Sequence, residues 1–205
     1  MGWHWKLKTD ATAEPITTAQ AKAHCNITTS DDDTYIGILI KAARQKVESD
    51  SGRAFINQSW YMYLDRFPSS SNTPLYLPMS PMATITAITY TDTDGDSATW
   101  SSSYYDADPY HEPGRVMPAY GYTYPTDAKD KPSCVRVEYV VGYGANIGAA
   151  ALLPATMTQA LYLLISHWYE NREPVIVGTI VANTPIAYES LINSVKVGWL
   201  FEEPV

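Results

Sequence analysis

Asp92-Thr93-Asp94-Gly95-Asp96 sets three carboxylates at alternate positions around a glycine, the residue types of a calcium loop. In EF-hand register Asp92, Asp94 and Gly95 fill the third, fifth and sixth positions. Tyr90 then stands first and Ser101 twelfth, where a carboxylate and a bidentate Glu are required. Asp94-Gly95 is the stronger signal, and it predicts a hairpin turn. Gly142-x-Gly144-x-x-x-Gly148 follows a strand pattern and precedes a helix, as a dinucleotide loop does, but its spacing is one residue too long and no βαβ unit surrounds it. Asp31-Asp32-Asp33 could hold magnesium, yet capping of the helix that follows accounts for all three. His4, His24, His111 and His167 share no metal-ligand spacing. His167 near Glu170 could act as a general base, but the sequence places no nucleophile beside it. No G-x-S-x-G elbow or Walker loop occurs. The expectation is a protein that is not an enzyme, with no catalytic residues, metal or cofactor.

The elements around these residues fall into three blocks. Thr17-Thr18-Ala19-Gln20 has capping-box spacing and opens a short helix to about Cys25. Ser30 and the three aspartates open a second helix. Its stripe is Ile36, Leu39, Ile40, Ala43 and Val47, and Gly52 is placed to end it. From Asn57 to Gly144 the period changes to two. Candidate strands are Trp60–Leu64, Leu75–Leu77, Thr84–Thr91, Ala98–Trp100, Arg115–Met117 and Val135–Val141, with proline-rich breaks between them. Trp3, Trp5 and Leu7 alternate with His4, Lys6 and Lys8, a further strand or arm whose apolar face needs a partner sheet. Pro154 opens a long helix with Met157, Leu161, Leu164, Ile165 and Trp168 on one face, and Thr184-Pro185 opens a last one carrying Leu191, Ile192 and Val195. The reading is α+β: a bundle domain of about four helices interrupted by a β-rich insertion. Residues 1–56 form an N-terminal arm and the first part of the helical domain. Residues 57–148 form the insertion, and 149–205 the second part with a C-terminal tail.

With 205 residues the chain can bury a sizeable core. No apolar run is long enough to span a bilayer, and Met1–Lys6 lacks the apolar core of a signal peptide. Cys25 and Cys134 stand apart, so a reducing compartment is expected. The formal charge is −8 and no basic run occurs, which argues against a protein that grips nucleic acid. Of the sixteen tyrosines, twelve lie between Tyr61 and Tyr143, which suits half-exposed sheets and interfaces.

Two segments suit burial against a partner, the alternatives being a solvated helix end followed by a buried strand and a tail folded back on the helical domain. At the end of the long helix, Trp168, Tyr169, Glu170 and Arg172 crowd together ahead of Pro174 and the β-branched run Val175, Ile176, Val177. Aromatics, an arginine and an apolar run are the residue types of interface anchors, so these are the candidate subunit-interface residues. The tail presents Val197, Trp199, Leu200 and Phe201 with too little chain left to build another element. Each large side chain is worth roughly 1.5–3 kcal/mol if buried, which makes these four the candidate partner-binding residues.

The capped helix Thr17–Cys25, the segment Asp31–Arg53 and the stretch Ser166–Gly178, reading SHWYENREPVIVG, together resemble the head–tail connector (adaptor) proteins of tailed bacteriophages. The resemblance is to the branch with a β-rich insertion, and it extends over Pro113-Gly114-Arg115, Val135–Tyr143 and Val197-Gly198-Trp199. It departs at Cys25, where an aliphatic residue is expected, and in the tryptophan-rich N-terminal arm. It implies a virion structural protein of the neck, assembled in the host cytoplasm as a homo-oligomeric ring, usually of twelve subunits, beneath the portal protein. Val197, Trp199, Leu200 and Phe201 would then meet the portal. The ring would extend the DNA channel and dock a tail or stopper (head-completion) protein, with DNA passing through unbound and no membrane involved. The alternatives are an aromatic-rich carbohydrate-binding β module using Tyr104, Tyr105 and Tyr120, or a nucleotide-binding enzyme built on Gly142–Gly148.

Overall fold

A computed structural model describes residues 2–146, 153–172 and 186–198. The chain divides into two compact units. One takes in Met1–Ala11 and Asn57–Gly142, the other Thr12–Ile56 and Tyr143–Gly198, as far as the described residues go.

The helical unit holds α1 (Thr18–His24), α2 (Asp33–Ser51), α3 (Ala155–Glu170) and α4 (Ile186–Val195). The capping box at α1 forms as its spacing predicts: the Thr17 hydroxyl accepts from the Gln20 N–H, and the Gln20 side chain accepts from the Thr17 N–H. Gly52 ends α2 in the left-handed conformation, φ 70°, which a glycine adopts without steric cost. Pro154 lies at the N-cap of α3, one place earlier than the first-turn position its chemistry suggests. Ile36, Leu39, Ile40, Ala43 and Val47 of α2 are buried, as are Met157, Leu161, Leu164 and Ile165 of α3, so both predicted stripes form the unit's core. The core also encloses Arg44, fully buried. Its Nε donates to Glu14 at 2.8 Å and its Nη1 to Glu48 at 2.9 Å, while Glu48 also accepts the Phe55 N–H.

Among the described residues the other unit pairs its strands antiparallel. Its strands are β1 (Trp3–Thr9), β2 (Gln58–Leu64), β3 (Leu75–Tyr76), β4 (Met82–Thr91), β5 (Ser97–Trp100), β6 (Tyr105–Asp108), β7 (Arg115–Pro118) and β8 (Val135–Val141). Five of them form a sheet in the order β1-β2-β8-β4-β5, and three a smaller sheet, β3-β7-β6. β1 finds its partner within the chain, pairing with β2 from Trp3 opposite Leu64 to Thr9 opposite Ser59. Alternation decides what each face holds. Met62, Leu64, Val135, Val137, Tyr139, Val141, Ile88 and Trp100 are buried on one face of the large sheet. β6 has no counterpart among the predicted strands, because Tyr-Asp-Ala-Asp carries two strand-disfavouring aspartates. Gly114 is needed where it stands: a Cβ there would come 2.5 Å from the Cβ of Met82.

Candidate functional site

The end of α3 meets the start of α2 inside the helical unit. Asp32 occupies the N-cap position of α2, but its carboxylate does not cap the helix. It accepts instead from the Tyr169 hydroxyl at 2.7 Å and from the Arg172 guanidinium at 2.6 Å. Arg172 is stacked against the rings of Tyr35 and Tyr169. Asp33, in the first turn, pairs with Lys22 of α1 at 2.7 Å. The expectation that capping accounts for all three aspartates is therefore corrected: two of them hold helices together through ion pairs. Hydrogen bonds from Tyr169 and then Arg172 lower the Asp32 pKa, and Asp32 in turn raises the pKa of the Tyr169 hydroxyl.

These contacts place the predicted interface residues. Trp168 and Tyr169 are half-buried, and Glu170 and Arg172 are exposed. Tyr169 and Arg172 thus present a surface that is already internally braced. Val175, Ile176 and Val177 lie outside the described residues, as do Trp199, Leu200 and Phe201. Val197 is buried at 4% exposure and donates its N–H to the Ser51 carbonyl, so it anchors the start of the tail on the helical unit.

In the β unit, Asp92 is spent on the hairpin between β4 and β5, its Oδ1 accepting the N–H groups of Gly95 and Asp96 at 2.9 and 2.8 Å. Gly95 has φ 99°, as the turn demands. Gly142 donates its N–H to the Pro81 carbonyl, closing the loop after β8, and Gly148 lies outside the described residues. Tyr105 is buried against Trp100, with ring centroids 5.0 Å apart, so the proposed sugar-stacking set Tyr104, Tyr105 and Tyr120 does not form. Tyr110 and Tyr120 are fully exposed.

One cluster was not foreseen. Register puts His4 and Lys6 of β1, Tyr61 and Tyr63 of β2, and Arg136 and Glu138 of β8 on the solvent face of the large sheet, and Lys8, at the irregularity in β1, joins them through its side-chain contacts. Lys8 donates to Glu138 and lies 5.2 Å from the Tyr61 centroid, with Arg136 at 5.3 Å from the same ring. The His4 and Tyr63 rings stack at 4.9 Å. The alternation of His4, Lys6 and Lys8 was visible in the sequence, but their meeting with Arg136 depends on strand order.

The helical unit and the antiparallel β unit, as far as the described residues go, define an α+β protein. The sequence pattern of the family described as phage gp6-like head-tail connector protein matches residues 15–108, in keeping with the resemblance read from the sequence. No curated protein matches. Among solved structures, the fold is similar to that of a chain in the neck of an empty GTA particle computed with C6 symmetry (TM-score 0.75, 21% identity, 95% of each chain covered). It is similar to a chain of the virion of a native gene transfer agent (GTA) particle (TM-score 0.73, 21% identity, 94% of this chain and 95% of that one). A third similar chain belongs to the neck of a native GTA particle computed with C12 symmetry (TM-score 0.68, 22% identity, 96% of each).

Proposed function

We propose that this protein is a head–tail connector of a tailed-phage or phage-like virion, a structural and non-enzymatic component of the neck. The observation that carries this reading is the agreement of two independent likenesses: the connector-family pattern over residues 15–108, and a shared fold along nearly the whole chain with proteins of particle necks. The six- and twelve-fold symmetries of those necks support a multi-subunit ring, which we take to be twelve copies beneath the portal. The acidic chain suits a conduit, because like charge keeps passing DNA from sticking to its wall.

Within the ring, Trp168, Tyr169, Glu170 and Arg172 with Val175, Ile176 and Val177 form a contact to the neighbouring subunit. The braced arrangement around Asp32 supports this, since a pre-ordered surface loses little freedom on docking. The portal contact falls to Trp199, Leu200 and Phe201; Val197, the fourth residue expected there, is buried and donates its N–H to the Ser51 carbonyl. A tail or stopper protein docks on the ring's other side.

Co-purification with the portal protein of the same particle tests the reading. The full chain binds, and a chain lacking Trp199–Val205 does not, while its helical content and melting temperature stay unchanged. Equal binding by the truncated chain removes the tail from the portal contact. Failure of the full chain to bind removes the connector reading.

A further inference from the structure

The cationic face of the large sheet is the feature that the acidic composition conceals. Lys6, Lys8 and Arg136 stand with His4 around Tyr61 and Tyr63, and Glu138 is the carboxylate among them. Asp65, at the margin, accepts the Ser133 N–H. Lysines on an edge strand can serve simply to discourage edge pairing. That role does not call for Arg136, which comes from the central strand β8. At the opposite edge of the same sheet the charge is reversed. The β4–β5 turn exposes Asp94 and Asp96 beside Asp92, and Asp127 accepts from the nearby Tyr90 hydroxyl. The Lys129 ammonium lies close to Gly95 of this turn.

We infer that this cationic sheet face and the acidic β4–β5 turn are the two halves of one subunit contact, the face of one copy receiving the turn of a second copy of this chain. A chain of charge −8 repels its own copies unless opposite charges are brought together. The face spans β1, β2 and β8 and the turn joins β4 to β5, so the two occupy different parts of one five-stranded sheet. Joining different surfaces of identical chains gives a heterologous contact, which repeats from copy to copy and closes into a ring when the rotation allows. The inference rests on the connector reading for the ring itself and adds a second surface to its subunit contacts. Duplex DNA is the other polyanion such a face could meet, but the aromatic rings here lie beneath their cations and the patch is short, so the protein carboxylates fit better.

Sedimentation velocity tests this with the full chain, the variant Lys6→Glu/Arg136→Glu and the variant Asp94→Lys/Asp96→Lys. Asp92 stays untouched because it holds the turn. The wild-type chain self-associates in low salt and returns to monomer in about 1 M salt, where the screening length falls to roughly 3 Å. Each variant alone stays monomeric under the low-salt condition, and an equimolar mixture of the two associates again, because every contact then pairs opposite charges. Near-ultraviolet circular dichroism establishes that each variant is folded. If a reversal variant is not, Lys6→Gln/Arg136→Gln replaces it and weakens association at least tenfold. A wild-type chain that is monomeric at all salt concentrations overturns the inference, as do variants that associate normally. Salt-sensitive binding of a duplex oligonucleotide that vanishes in Lys6→Glu/Arg136→Glu assigns the face to DNA and also overturns it. If the variants still form rings on the portal, this contact fails while the connector reading stands. If the charge-swapped mixture associates but no ring forms on the portal, the contact stands without that reading.

Discussion

The guanidinium of Arg172 donates to Oδ2 of Asp32 across 2.6 Å, and its carbon lies 4.7 and 4.9 Å from the ring centroids of Tyr35 and Tyr169. Residues 140 positions apart thus tie the end of one helix to the start of another. The pair is solvent-exposed, so its value lies in orienting the helix end rather than in global stability. Arg172→Ala should speed amide exchange in residues 168–171 and leave the melting temperature nearly unchanged. Arg172→Lys should not restore protection, because an ammonium cannot stack between two rings as a guanidinium does.

The same pair sets a pH dependence. Hydrogen bonds from Tyr169 and Arg172 hold the Asp32 carboxyl below the usual aspartate range. A depressed folded pKa contributes stability above the unfolded value, near 3.9, and that contribution is lost as pH falls through the folded value. Carboxyl chemical shifts should place the Asp32 midpoint below that of an ordinary aspartate. Arg172→Ala should move it upward.

Arg44 is a second ionic centre of a different kind, fully buried between Glu14 and Glu48. Arg44→Ala leaves the buried Glu48 without its cation and should cost about 3–5 kcal/mol in urea denaturation. A loss under about 1 kcal/mol would show that water or rearrangement replaces the arginine at little cost.

In the β unit, the buried Tyr139 hydroxyl donates to the Pro78 carbonyl at 2.9 Å, and burial pushes its pKa well above the ordinary tyrosine value. A raised folded pKa gives stability that is complete below about pH 10 and lost as pH rises through the folded value. Alkaline titration should therefore show a phenolate step that coincides with unfolding. Tyr139→Phe should reduce that step and lower stability by about 1–3 kcal/mol through the unsatisfied carbonyl.

Gly114 is held against Met82 with no room for a methyl group. Gly114→Ala should cost about 1–3 kcal/mol by overpacking. Met82→Gly added to it removes the Cβ that the methyl group meets and should recover part of that loss, which denaturant titration of the pair would reveal.

Much of this architecture could be read from local pattern. The 3.6-residue stripes of α2 and α3, the box at Thr17 and Gln20, the turn at Gly95 and the alternation in β8 each express one element's own chemistry. What escaped depends on residues distant in sequence. Asp32 has the chemistry of a cap, and only the packing of α3 turns its carboxylate elsewhere. Tyr105–Asp108 lacks an apolar alternation and becomes a strand because β7 is there to pair with it. The cationic face is invisible as a run, since Lys6, Tyr61 and Glu138 come into line only through the register of three strands. Tyr105 was legible as an aromatic but not as a buried one.

The central claim is that copies of this chain form a ring on the portal. Cryo-electron microscopy of the full chain mixed with the portal of its own particle, reconstructed without imposed symmetry, tests it most directly. The account predicts a closed ring stacked coaxially on the portal, with Trp199, Leu200 and Phe201 at the seam. Single copies bound off the axis, or a portal left bare at saturating protein, would contradict it.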